Sequence, residues 1–209
     1  MIISFNYTDS CDVMVDLETL ATSANATYLT FGAIKFNRFG NIASLFSSYP
    51  TAEEIQQKLD CYYARIDFDD MKTRGFVVQQ GAVEWWLKQK PEAKAEAFNP
   101  NGRVKIDTAL DDFYLWYGNA FACWSHGASF DAKLIEDAYS IMKRKAPWFF
   151  TESRCTRTMF DTFGLDGKRQ KELRGVNHHH ALFDCFDQIL MLQGCFNYLR
   201  NFQQQGLAA

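Results

Sequence analysis

Two stretches near the start of the chain are almost wholly apolar. Residues 12–18 (DVMVDLE) and 28–37 (YLTFGAIKFN) read as β-strands, and the turn at 37–40 leads into a third strand predicted over 41–49 (NIASLFSSY). The pattern then changes to a helical period. Thr51 and Glu54 have capping-box spacing and predict a helix through EIQQKLD. Further helices are predicted over QGAVEWWLKQ, with a restart at Pro91, and over TALDDFYLWYG. FACWS reads as a short buried strand, SFDAKLIEDAYSIMKR as a long amphipathic helix, and ALFDCFDQILMLQGCFNYLR as the closing helix. Strands first, then helices, then strand and helices again describe an α/β chain with a mixed sheet flanked by helices.

Composition narrows the class. With 209 residues, 47% hydrophobic and 22% charged, the chain is expected to form one domain over 1–209 and is not disordered. A chain of this length buries roughly 70% of its unfolded surface, so it needs no disulfide or zinc staple. Its six cysteines contain no C-x-x-C pair, as expected of buried thiols in a reducing cytoplasm. The first residues, MIISFNYTDS, lack a basic segment followed by an apolar one, and no long apolar run occurs, so neither export nor a membrane partner is expected. A net charge of −3 argues against holding nucleic acid by bulk charge alone. It is compatible with a nuclease whose carboxylates gather metal ions, because the ions then supply the positive field.

Four acids stand out. Asp16 and Glu18, two apart on the first strand, share one face while Val13, Val15 and Leu17 take the other. Alone, D-x-E also describes an ordinary solvated strand end. Here the apolar flanks mark a buried strand, where two ionised acids need a cation. Asp131 occupies a first helical turn, which the helix dipole favours, yet it shares the apolar stripe of Leu134, Ile135, Ala138 and Met142. Asp184 heads another apolar face with Met191, Leu192 and Cys195, interrupted by Gln188. His179 lies five residues before Asp184 in a histidine triplet that could equally be a solvated loop.

D-x-E, then F-D, then H-x-x-x-x-D in this order resembles the DEDDh family of 3′-to-5′ exonucleases, the DnaQ-like branch of the ribonuclease H-like fold. The closer similarity is to phage exonuclease A and the ribonuclease AS group. It is carried by DVMVDLETL, AVEWWLKQKPEA, WSHGASFDAKLIEDAY, PWFF with RCTRT, and HHALFDCFDQ, and covers nearly the whole chain. Where relatives often read H-x-A-L-x-D-A, this chain has Cys185 after the aspartate; of the three histidines only His179 has the five-residue spacing, with His178 and His180 as the competing bases.

The resemblance implies removal of nucleoside 5′-monophosphates from a single-stranded 3′ end, with DNA placed slightly ahead of RNA. Cleavage of RNA tails or short oligonucleotides is the alternative, and a silent nucleic-acid-binding module the least favoured. Two Mg²⁺ or Mn²⁺ ions are implied, with Asp16 touching both, Glu18 and Asp184 completing the first site, Asp131 acting through coordinated water, and His179 as general base. Leu17, Thr19, Leu20 and Phe130 are implied to meet the terminal nucleotide, although Leu17 and Phe130 also suit ordinary core packing. Trp85 and Trp86 lie about 100° apart on a helix, so one is expected in the core and the other at a subunit contact or substrate wall. Lys168, Arg169, Lys171 and Arg174 form a basic loop expected at the edge of the site. Relatives suggest a homodimer, and the phage association suggests the cytoplasm of an infected host.

Overall fold

The computed structural model describes residues 11–127, 129–165 and 179–206, with side chains to 202. Six strands form one mixed sheet: β1 (Asp12–Thr19), β2 (Tyr28–Phe36), β3 (Cys61–Ile66), β4 (Arg103–Val104), β5 (Ala122–Ser125) and β6 (Ser153–Cys155), in the order β4-β3-β2-β1-β5-β6. β1, β2 and β3 run antiparallel in sequence, whereas β5 and β6 lie parallel beyond β1. β1 is central and buried along its length up to Glu18, as its uninterrupted apolar run requires.

Helices cover both faces. Val13, Val15 and Leu17 pack with Phe31 and Ala33 against α5 (Ile106–Tyr117) and α6 (Asp131–Ile141). On the opposite face, Met14 and Ile34 pack against Ile55 of α1 (Ala52–Lys58), Phe160 of α7 (Thr156–Thr162), and Leu182, Phe186 and Ile189 of the last helix, α8 (Ala181–Gly206). Three shorter helices, α2 (Phe68–Thr73), α3 (Gln80–Leu87) and α4 (Pro91–Ala97), lie between β3 and β4 in the chain order. Thr51 and Glu54 form the expected reciprocal cap, and Pro91 opens α4.

The strand expected over 41–49 is absent. Its apolar residues instead form a single 3₁₀ turn, Ile42–Leu45, and the third strand is Cys61–Ile66. Burial explains the exchange. Ile42 and Phe46, four apart, both face α8, where Phe46 meets Phe186 edge-on at 5.4 Å, and the Ile42 amide donates to Gln193 Oε1 at 2.8 Å. β3 is half-buried, so its sequence lacks the apolar run that marks β1.

Gly32 fixes the seat of α8. It lies directly across from Asp16 on β2, and a Cβ there would come within 2.8 Å of the Ala181 backbone carbon. Only glycine lets the first turn of the helix rest on the sheet at this point. Cys185 continues the contact, its thiol donating toward the Met14 and Gly32 carbonyls at 3.6 Å, which gives the departure at this position a packing role.

Candidate active site

The C-terminal end of β1 meets the first turns of α6 and α8, and this junction gathers the expected acids. Asp16 is 9% exposed, Glu18 6%, Asp131 4% and Asp184 6%, so all four carboxylates are withdrawn from bulk water. Glu18, His179 and Asp184 each offer a ligand atom, and these atoms lie within 4.8 Å of one another. Asp131 joins from the opposite face of the sheet, where its Oδ1 accepts the Leu17 amide at 3.3 Å. Gln188 donates Nε2 to Asp16 Oδ1 at 3.1 Å; the residue that interrupts the apolar stripe of α8 does so because it reaches the site.

Electrostatics set Asp131 apart. Burial pushes its carboxyl up to about 7, and the charge of Asp184 adds to that, while the Leu17 amide and the Arg157 guanidinium pull the other way. A carboxylate that resists ionisation in its own protein is one that an added cation would stabilise. The hard carboxylate oxygens fit the hard divalent ions, Mg²⁺ or Mn²⁺, that the sequence implies.

The two described histidines of the triplet do different things. His180 caps α8: its Nδ1 accepts the Leu182 amide at 3.2 Å and its carbonyl accepts the Asp184 amide at 3.0 Å. Its ring stacks on Tyr63 at 5.2 Å, and burial lowers its pKa, against the opposing charges of Glu96 and Asp184. His179 adopts a left-handed backbone (φ 69°) that turns it away from the helix toward Glu18 and Asp184. Its ring stands edge-on to Trp85 at 4.6 Å. His178 and the basic residues Lys168, Arg169, Lys171 and Arg174 lie outside the described residues.

Beside Glu18 opens a cleft of about 470 Å³ whose walls include Leu17, Thr19, Gln79, Trp85 and Phe130. Of the residues expected at the terminal nucleotide, Leu17, Thr19 and Phe130 therefore border the cleft. Leu20 does not. It packs with Leu29, Trp86 and Ala97, and its amide is given to the Thr27 carbonyl at 2.8 Å. The Thr19 hydroxyl donates to the Ala21 carbonyl at 2.8 Å. The tryptophans divide in burial as expected: Trp86 is 1% exposed and donates Nε1 to the Thr19 carbonyl, whereas Trp85 is 43% exposed, and both line the cleft.

Sequence reasoning missed three neighbours. His126 at the end of β5 holds its Nδ1 3.0 Å from the Thr156 hydroxyl, Arg157 lies against Gly127, and Gln79 lines the cleft. The R-C-T-R-T stretch was a signal for Arg157; its separation from Asp131 in sequence hid the proximity.

Residues 11–196 match the family described as the Rv2179c-like 3′-5′ exoribonuclease domain. The fold is similar to that of cell-death related nuclease 4, with TM-score 0.58 and 12% identity over 93% of this chain and 66% of that one. It is similar also to E. coli exonuclease I in complex with a dT13 oligonucleotide, with TM-score 0.60 and 14% identity over 93% of this chain and 43% of that one. The zinc-bound form of the E. coli exonuclease I complex with single-stranded DNA gives 0.57 and 14%, with the same coverage. This chain thus spans about two thirds of the first protein and less than half of the second. The six-stranded sheet with helices on both faces has the ribonuclease H-like fold of these nucleases. No curated protein sequence matches significantly.

Proposed function

Because the chain belongs to the Rv2179c-like 3′-5′ exoribonuclease domain family, among the DEDDh exonucleases, we propose that it releases nucleoside 5′-monophosphates from the 3′ end of a single strand. RNA is the substrate we put first, since the family is described as exoribonucleases. DNA is the second reading, favoured by the oligonucleotides bound in the exonuclease I complexes. The observation that carries the proposal is the meeting of Glu18, His179 and Asp184 ligand atoms within 4.8 Å, with buried Asp16 and Asp131 beside them.

In this reading Asp16, Glu18, Asp131 and Asp184 hold two divalent ions, Mg²⁺ or Mn²⁺. Such ions would polarise a phosphoryl oxygen and make a bound water easier to deprotonate. The protein's own residues do the rest. His179 receives the proton of the attacking water at its imidazole. Leu17, Phe130 and Trp85 seat the terminal base and strip water from it, and the end of β1 at Thr19 faces its sugar. Gln188 holds Asp16 and the Leu17 amide holds Asp131, which fixes both carboxylates before any ligand arrives.

The phage exonuclease A branch and the cytoplasm of an infected host are the finer assignments we retain from the resemblance. The six cysteines are free thiols, but only Cys123, Cys185 and Cys195 are buried as expected; Cys11 is exposed and Cys61 and Cys155 are half-buried. Among the described residues no helix is long and apolar enough to cross a membrane. Sedimentation velocity tests the homodimer.

The deciding experiment uses matched RNA and DNA strands labelled at the 3′ end and incubated with Mg²⁺, with EDTA, and with Asp16→Ala in Mg²⁺. Release of labelled monophosphate in the first condition alone is expected. Product in EDTA, or from Asp16→Ala at the wild-type rate, would contradict the proposal.

A further inference from the structure

The sheet order lays out a line of chemistry along its C-terminal edge. The cleft and the acids sit at the end of β1, β5 follows as its neighbour, and α7 leaves from β6, two strand spacings or roughly 10 Å from β1. Arg157 is the second residue of α7 and is exposed. Its guanidinium lies over Gly127: a Cβ built there would stand 3.6 Å from Arg157 Cζ, and the positive φ of 114° reserves the position for glycine. Gly127 in turn accepts the Phe130 amide at 2.8 Å, immediately before Asp131. The segment carrying Arg157 is pinned to this edge by Thr156, whose hydroxyl lies 3.2 Å from the Ser125 carbonyl and 3.0 Å from His126 Nδ1.

Arg157 is thus held at the rim of the acidic site while making no hydrogen bond or ion pair among the described residues. A planar guanidinium with its donors unspent matches a phosphate diester better than any other group a single strand presents. We propose that Arg157 binds a backbone phosphate upstream of the scissile one, on the side of the acids away from the terminal-nucleotide cleft, and so sets the track of the strand. This inference rests on the exonuclease reading and adds a substrate-binding residue to it. The charge of Arg157 also eases the ionisation of Asp131, so a purely electrostatic role is the alternative the test must separate.

The test compares wild type with Arg157→Gln and Arg157→Lys on a short unstructured RNA carrying a 5′ fluorophore. Parallel strands have one upstream phosphate at a time replaced by a neutral methylphosphonate. Binding is read by anisotropy in EDTA, and turnover separately in Mg²⁺. Arg157→Gln is expected to weaken binding roughly tenfold, the size of one charged hydrogen-bonded contact, and to reduce the salt slope by about 0.7. Arg157→Lys should restore part of the affinity. KM should rise with kcat unchanged, and the loss should vanish on the strand whose contacted phosphate is already neutral. Equal binding by wild type and Arg157→Gln, or a fall in kcat at unchanged KM, overturns the inference. If wild type binds the strand but releases no monophosphate, the exonuclease reading falls and the binding ratio alone decides the Arg157 contact. If wild type does not bind, both are overturned.

Discussion

The two ends of β1 treat buried acid in opposite ways. At its start, Asp12 is fully buried and receives Arg38 through two side-chain hydrogen bonds, one of 2.6 Å from Nε. The same guanidinium stacks over Phe121, Trp124 and Phe196. The charge is balanced from within the protein. Four residues on, Gln188 donates to Asp16 and the Leu17 amide donates to Asp131, and burial together with Asp184 raises the Asp131 carboxyl against the pull of the Arg157 guanidinium. Neutral amides orient a carboxylate without cancelling its charge. A buried acid with a resident guanidinium is architecture; a group of buried acids that amides help to orient is, on the function proposed above, prepared for a cation from outside.

Substitution separates the two ends most sharply. Asp16→Ala should lower turnover by roughly 10³-fold or more, since metal ions held there supply several kcal/mol to the transition state, while the fold persists in chelator. Asp12→Ala should do the reverse, costing about 3–5 kcal/mol of stability by stranding Arg38 and leaving turnover per folded molecule unchanged. Denaturant titration alongside turnover reads both. If Asp12→Ala abolished turnover of the folded protein, or Asp16→Ala unfolded it, the contrast would be broken.

Gly32→Ala tests how α8 joins the two sets of acids. The added methyl meets Ala181 backbone and must displace the helix, costing about 1–3 kcal/mol. Because Asp184 moves with the helix, turnover should drop on the order of 10²-fold, the effect of about 1 Å of misplacement. A variant with wild-type turnover would show that α8 is not the rigid carrier of Asp184.

The smallest effect is a pH slope. In EDTA the folded protein keeps a proton on Asp131 up to about pH 7, whereas an unfolded aspartate releases it near pH 4. The folded state therefore binds more protons between these values. The stability this confers is complete below about pH 4 and is lost as pH rises through 7. Denaturation midpoints in EDTA at pH 5 and pH 8 should show this loss for wild type but not for Asp131→Asn, and Mg²⁺ should remove it. The same slope in both proteins would exclude Asp131 as its source.

How much of this was legible in the sequence follows from burial. β1 and β2 are buried on both faces, so their apolar runs announce them, and the period of two put Asp16 and Glu18 on one side. β3 is half-buried and carries Arg65, which donates to Glu96 rather than to water, and such a strand has no apolar signature. Residues 41–49 offered apolar spacing that suited a strand, but the partner surface was a helix. Gln188 read as a flaw in an amphipathic face because its reason lies on another element. Leu20 followed the motif in sequence while its register turned it into the small core beneath Trp86. Local patterns reveal which residues are withdrawn from water; what they meet there depends on tertiary contacts.

The most direct test is equilibrium Mn²⁺ binding, followed by calorimetry and by the shift in melting temperature, for wild type and Asp184→Asn. Wild type should bind two ions and melt higher as they load, and Asp184→Asn should lose at least one ion while remaining folded. Wild-type protein that takes up no Mn²⁺ and shows no thermal shift would contradict the account.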